Sequence, residues 1–216
     1  MKCCGQIRKI IEKTWLRLVS SDARYSGDYA KFDRIYVVRN PWRMESSGEE
    51  CRFRETNRVV LDRFGRVDTL LEIGCGEGHQ SLYLRQTCNH LIGLDVSARA
   101  ITRARRRCSN VDFLVGDLFN KEIAAEAPFG LVVACEVLYY MNDVAAALRQ
   151  MYELGGGVIV TYFEGEMQNL DPVVLSMFDC GSEILQCEGG RWRAAWFRGK
   201  HHTARPDSLD ILRAES

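Results

Sequence analysis

Apolar runs alternating with stretches of helical spacing fill residues 68–163 and leave few architectures open to this chain. The runs are DTLLEI (68–73), HLIGLD (90–95), VDFLVG (111–116), GLVVAC (130–135) and GGVIVTYF (156–163). Each has strand length and is apolar on successive residues, the mark of a strand covered on both faces. GHQSLYLRQT, SARAITRARRR and DVAAALRQMYEL between them repeat apolar residues every three to four positions, as helices do. Strand alternating with helix predicts an α/β fold: a mostly parallel sheet with helices on both faces. EILQCE and RWRAAWFRG flank Gly189-Gly190 and read as an antiparallel C-terminal hairpin.

Upstream, GQIRKIIEKTWLRLVS puts Ile7, Ile10, Ile11 and Leu18 on one helical stripe with Lys9, Lys13 and Arg17 largely off it. This predicts an amphipathic cap on the domain, with weak membrane-surface contact as the rival reading. From Asp28 to Glu50 the text is polar and aromatic and reads as a loop or lid, followed by a helix over roughly 50–64. The expected division is therefore an N-terminal helix and lid (1–50), a main domain (51–200) and a polar tail (201–216). His201 and His202 fall in that tail and read as disordered residues, not ligands.

Composition narrows the function. With 216 residues, 46% of them hydrophobic, the chain fills one core and not two. Lys plus Arg equals Asp plus Glu at 29 each, so no global field recruits nucleic acid or membrane. The run Arg103 to Arg107 lies on a helix and reads as its solvated face. Nine cysteines, an odd number without C-x-x-C spacing, accompany neither a signal-peptide pattern nor a long apolar span. They read as reduced thiols of a cytoplasmic protein, most of them small buried hydrophobes. No metal-ligand spacing is present in the sequence, so no metal is expected.

An open parallel sheet binds ligands beyond the carboxyl ends of its strands. LLEIGCGEG puts Gly74, Gly76 and Gly78 at one such end, where missing Cβ atoms admit unusual dihedrals and close approach to main chain. The third glycine comes one position too early for the dinucleotide pattern G-x-G-x-x-G. Asp95 ends the second run, placed to accept from both hydroxyls of a ribose. Asp117 follows the third, where its carboxylate suits an exocyclic adenine amine and the Leu118 amide a ring nitrogen.

LEIGCGEG, GLDVSARAI, FLVGDLF and LVVACEVLYYM, in this order and at these separations, resemble the class I S-adenosylmethionine-dependent methyltransferases over about residues 66–163. The resemblance implies a Rossmann-like seven-stranded sheet ending in a reversed hairpin. It implies that Gly74, Gly76 and Gly78 line the amino-acid end of the cofactor, Asp95 its ribose, and Asp117 with Leu118 its adenine. Glu72, Cys75, Val96, Glu136, Trp42 and Arg43 complete the expected cofactor set. NPWRMESSGEECRFRE and CEVLYYMNDV are further similar to the NodS-type group, which N-methylates a glucosamine amine in chitooligosaccharides. With Glu50 aligned to that group's E-x-x-R helix start, the expected arginine falls on Phe53. The carboxylate-gripping arginine is then one of Arg43, Arg52 and Arg54.

Methyl transfer from a sulfonium is an in-line displacement that needs alignment and exclusion of water more than covalent machinery. An amine nucleophile must be neutral, which calls for a proton acceptor. Glu136 is the candidate, with support of the cofactor's ammonium as its rival role. Tyr139 and Tyr140 could stack on a sugar or face the sulfonium, and His79 could cap the helix start or approach the acceptor. The reading is a methyltransferase acting on a small molecule or saccharide, preferably at the nitrogen of an amino sugar or similar amine. The alternatives are an O-methyltransferase, a nucleic-acid or protein methyltransferase, or a non-catalytic cofactor-binding protein. The expected partners are the acceptor alone, with no nucleic acid and no stable membrane insertion, in a monomer or homodimer.

Overall fold

The computed structural model describes residues 24–203. The N-terminal amphipathic stripe and the residues of the tail beyond 203 lie outside it, as do Cys3 and Cys4. In chain order the elements are α1 (Ala30–Ile35), α2 (Ser47–Phe64), β1 (Val67–Ile73), α3 (Ser81–Leu84), β2 (Cys88–Asp95), α4 (Ala98–Arg107), β3 (Asp112–Val115), α5 (Lys121–Ala125), β4 (Leu131–Cys135), α6 (Val144–Leu154), β5 (Gly157–Phe163), α7 (Met167–Met177), β6 (Gly181–Cys187) and β7 (Gly190–Arg198).

The seven strands form one sheet in the order β3-β2-β1-β4-β5-β7-β6. β1 pairs in parallel with both β2 and β4, and only β7 runs antiparallel to its neighbours β5 and β6. Successive strand residues point to opposite faces and feed two cores. Leu71, Val132 and Val158 pack with Leu148, Met151 and Leu170 from α6 and α7. Leu70, Leu131 and Ile159 pack with Val59, Val60 and Ile101 from α2 and α4. Chain direction switches at β1, whose two partners are reached by crossovers in opposite senses, and this opens a crevice at the carboxyl ends of β1 and β4.

The strand runs emerge within about two residues of their predicted bounds. The helix predicted over GHQSLYLRQT shrinks to the single turn of α3. The carbonyls that would continue it are taken by side chains, Tyr83 O by Asn57 Nδ2 at 2.7 Å and Leu84 O by Thr87 Oγ1 at 2.7 Å. The lid segment is less of a loop than expected, since it contains α1 and the first turn of α2, whose N-cap is Ser46. His201 is hydrogen-bonded and so is not the disordered residue expected: its amide donates to Gly155 O and its ring meets Glu153 O at 3.1 Å.

Two expectations are corrected. Cys51 and Cys187 form a disulfide, because the start of α2 lies against the β6–β7 turn, close enough that a Cβ on Gly48 would stand 2.0 Å from Glu188 O. Cys75, Cys88 and Cys108 fit the expectation of small buried residues, their thiols pushed up by burial. The arginine run is a solvated face only in part: Arg105 and Arg106 are exposed, while Arg103 and Arg107 are half-buried. Arg103 donates to Tyr36 O at 2.8 Å and Val38 O at 2.9 Å and pairs with Glu77, Arg105 donates to Phe113 O, and Arg107 to Glu77 O. Long side chains on α4 reach the lid and the glycine turn, so their charges satisfy backbone carbonyls.

Candidate active site

A cavity of about 250 Å³ opens in the crevice, walled by strand ends on one side and by α1, the following lid residues and α2 on the other. Of the six carboxylates that line it, three lie at the ends of the central strands. Glu72 comes from the end of β1, Asp95 from the last residue of β2, and Glu136 from the residue after β4. Desolvation raises all three above the usual carboxylate range, Glu72 and Glu136 to about 7 and Asp95 to about 6. Acids so crowded and desolvated, in a cleft, mark a binding site more often than a scaffold.

Each acid is held differently. Asp95 Oδ2 accepts from Gly76 N at 2.9 Å and Oδ1 from Ser97 N at 2.8 Å, leaving each oxygen a further lone pair. Glu72 accepts from Ser81 Oγ at 2.5 Å. Glu136 Oε2 accepts from Tyr139 Oη at 3.1 Å, while its Oε1 is buried with no partner. Glu136 also takes φ +60°, a left-handed conformation that costs a non-glycine residue energy and concentrates at functional sites.

Arg52 faces these acids from α2. It is 1% exposed, pairs with Glu49 at 2.7 Å and donates to Gln80 Oε1 at 2.8 Å. Of the three candidate arginines only Arg52 lines the cavity: Arg54 is exposed and paired with Glu50, and Arg43 is exposed and outside the cavity. Arg43, expected to bind cofactor, instead occupies a left-handed turn position at φ +58° between lid and α2. Aligning Glu49, not Glu50, restores the E-x-x-R spacing at Arg52. The sequence carried a signal for this, because Arg52, Thr56, Val59 and Val60 share one buried helical stripe and Arg54 does not.

The glycine turn behaves as its spacing suggests, with one exception. All three glycines have positive φ. A Cβ at Gly74 would lie 2.3 Å from Val137 Cγ2, and one at Gly76 2.8 Å from Tyr36 Oη. Gly78 is not a cavity residue; it turns towards α4, where a Cβ would crowd Ala104 and Phe113 at 3.2 and 3.4 Å. Cys75, Val96, Asp117 and Leu118 line the cavity as expected. Asp117 also closes a turn, its Oδ1 accepting from Phe119 N at 2.9 Å. His79 lines the cavity too, but its Nε2 faces Glu45 at 3.3 Å, and burial with the nearby Arg107 charge pushes its pKa down.

Aromatic residues form the outer wall. Tyr140 touches Phe32, Trp42 and Tyr139 with ring centroids 5.1, 5.8 and 4.6 Å away, and Trp42 Nε1 donates to Tyr36 Oη at 3.3 Å. Tyr29, Phe32, Tyr36, Met44, Glu49 and Gln80 were not singled out in the sequence, since nothing in a lone chain says which lid residues turn inward. Among the described residues no cluster of His, Cys, Asp and Glu suits a metal ion, and no helix is long and apolar enough to cross a membrane.

Residues 70–155 match the family model described as a methyltransferase domain. Nodulation protein S of Sinorhizobium fredii is 32% identical over 131 residues, 59% of this chain and 59% of that protein. Phosphoethanolamine N-methyltransferase 1 of Triticum aestivum is 29% identical over 50% of this chain and 23% of its own length. This chain therefore aligns with less than two thirds of either relative. Among solved structures, the N-methyltransferase NodS from Bradyrhizobium japonicum WM9 in complex with S-adenosyl-L-homocysteine superposes with a TM-score of 0.66 at 26% identity, covering 80% of this chain and 98% of that one. Magnesium protoporphyrin IX methyltransferase of Synechocystis shares the fold at 14% identity, with a TM-score of 0.54 over 69% of this chain and 80% of that one. Motif order, sheet topology and these matches agree: residues 70–155 are similar to a methyltransferase domain, and the fold is similar to that of the N-methyltransferase NodS.

Proposed function

We propose that the protein transfers a methyl group from S-adenosylmethionine to an amine, preferably the amine of an amino sugar. The observation that carries this is the convergence of Glu72, Asp95 and Glu136 with Arg52 on one cavity at the switch point of the sheet. The pocket's chemistry fits the donor. Asp95 retains lone pairs for ribose hydroxyls, Asp117 and Leu118 offer the cavity an acceptor and an amide suited to adenine, and Arg52 with the unpartnered Gln80 Nε2 suits a carboxylate. When bound, S-adenosylmethionine supplies a methyl group already activated by a sulfonium charge.

The chain's own residues then have three tasks. The lid, latched by Arg103 to α4, excludes water from the cavity. Tyr140, Trp42 and Phe32 give the acceptor an apolar, stackable wall. Glu136 takes the amine's proton: its free Oε1 can accept, and the hydrogen bond from Tyr139 fixes the other oxygen. The N-methyltransferase named among the similar solved structures supports nitrogen as the methylated atom.

The test is incubation with S-adenosylmethionine and a panel of amino sugars, followed by mass spectrometry. A gain of one methyl group on an amine is expected, and absent with Glu136→Gln. Methylation confined to hydroxyl acceptors would move the activity to oxygen, and no product on any acceptor would refute it.

A further inference from the structure

Outside the cavity, beside Tyr139, a buried acid holds a cation that the chain itself supplies. Glu166, in the turn between β5 and α7, has a side chain 4% exposed. Its Oε1 pairs with Arg24 Nη1, and its Oε2 accepts from Tyr25 Oη at 2.8 Å. The Arg24 guanidinium carbon lies 5.3 Å from the centroid of the Tyr139 ring, and Tyr25 N donates to Tyr139 O at 2.9 Å. Tyr139 is the same residue whose hydroxyl reaches Glu136 in the cavity.

A buried carboxylate beside an aromatic face is the pair of features that recognises an alkylammonium. The two partners are unequal. Glu166 cannot leave the interior, whereas the Arg24 side chain is 55% exposed and carried on a strap with left-handed residues at Tyr25 and Gly27. An exposed cation on a buried acid is replaceable by another cation, since solvation of the departing guanidinium offsets the lost pair. We infer that Glu166 and the Tyr139 ring form the subsite for a cationic amine on the methyl acceptor, and that Arg24 occupies this subsite until the acceptor displaces it. The inference rests on the methyltransferase reading and deepens it. It makes the acceptor a positively charged amine that docks at Glu166, outside the cavity, before it moves on to Glu136 to be deprotonated, and it makes the strap a competitor that neutral sugars do not displace.

The test uses the full chain saturated with S-adenosylhomocysteine, with glucosamine and its neutral counterpart N-acetylglucosamine as probes. Arg24→Gln should bind glucosamine roughly fivefold more tightly than the unaltered protein, the scale of one partly exposed ion pair. N-acetylglucosamine should show no gain. Glu166→Gln, which still accepts from Tyr25, should abolish the gain when added to Arg24→Gln. Arg24→Lys retains the charge and should behave as the unaltered protein, and it serves where the glutamine variant fails to fold. The inference is overturned if Arg24→Gln binds glucosamine no better, including not at all, or if both sugars gain alike. Failure of S-adenosylhomocysteine to bind would be a failure of the methyltransferase reading instead. The same glucosamine titration without it then still decides the role of Arg24.

Discussion

Replacing Asp95 by asparagine separates its role as a brace from its role as a ligand. The carboxylate accepts one backbone N–H on each oxygen, from Gly76 and from Ser97, at 7% exposure. An asparagine Oδ1 can keep the Ser97 bond, but its Nδ2 would then confront the Gly76 N–H, donor against donor. One buried donor is orphaned, at a cost of about 1–3 kcal/mol in stability. For binding, the amide nitrogen can no longer accept from a ribose hydroxyl, and the remaining acceptor is neutral. The loss is that of a charge-assisted hydrogen bond, about 1.5–3 kcal/mol, or roughly a 10- to 150-fold rise in the dissociation constant of S-adenosylhomocysteine. Calorimetry at pH 8 measures this, beside urea denaturation for the stability term. A cycle with the 2′-deoxy analogue removes the ambiguity. If Asp95 holds the ribose, deleting the hydroxyl from the ligand costs the variant much less than it costs the unaltered protein. Binding by Asp95→Asn within twofold of the original, or fully additive losses, would refute the ribose assignment.

Arg52→Met removes one side of a buried charge cluster; it should cost about 3–5 kcal/mol by chemical denaturation and abolish S-adenosylhomocysteine binding, whereas Arg54→Met should change neither. Arg103→Met unlatches the lid from α4: hydrogen exchange at residues 36–44 should quicken while the strands stay protected, and unchanged exchange would show that the lid is held by other contacts. Glu72 sets a pH signature of the ligand-free protein. Its folded pKa is raised from 4.5 to about 7 by burial, so between these values the folded state keeps a proton the unfolded chain has lost, and stability falls as pH rises through 7. The shift is worth about 3 kcal/mol, and Glu72→Gln should flatten the slope of unfolding free energy between pH 5 and 8 accordingly.

The fold was legible because the period of the apolar residues changes with each element, and because both faces of each central strand are covered, which leaves the runs unbroken. The acids at the strand ends were legible for the same reason: Asp95 and Glu136 follow the last apolar residue of β2 and β4. The lid was not. Whether Trp42 or Arg43 faces inward depends on left-handed turns at Asn40 and Arg43, and the sequence there offers no periodicity to phase them. Two adjacent glutamates, Glu49 and Glu50, left the E-x-x-R register open by one residue. The arginines of α4 were misleading because a basic run normally faces water, while here three of them end on carbonyls of the lid, the glycine turn and β3. The Cys51–Cys187 link joins residues 136 apart in sequence, a proximity that only the packing of α2 on the hairpin creates.

The central claim is that the crevice takes S-adenosylmethionine and not a dinucleotide. Equilibrium dialysis of the methyl-labelled donor against the full chain tests it directly, with unlabelled S-adenosylhomocysteine and NAD as competitors. One equivalent should be retained, displaced by S-adenosylhomocysteine and untouched by NAD. Retention of nothing at saturating donor, or equal displacement by NAD, would contradict the account.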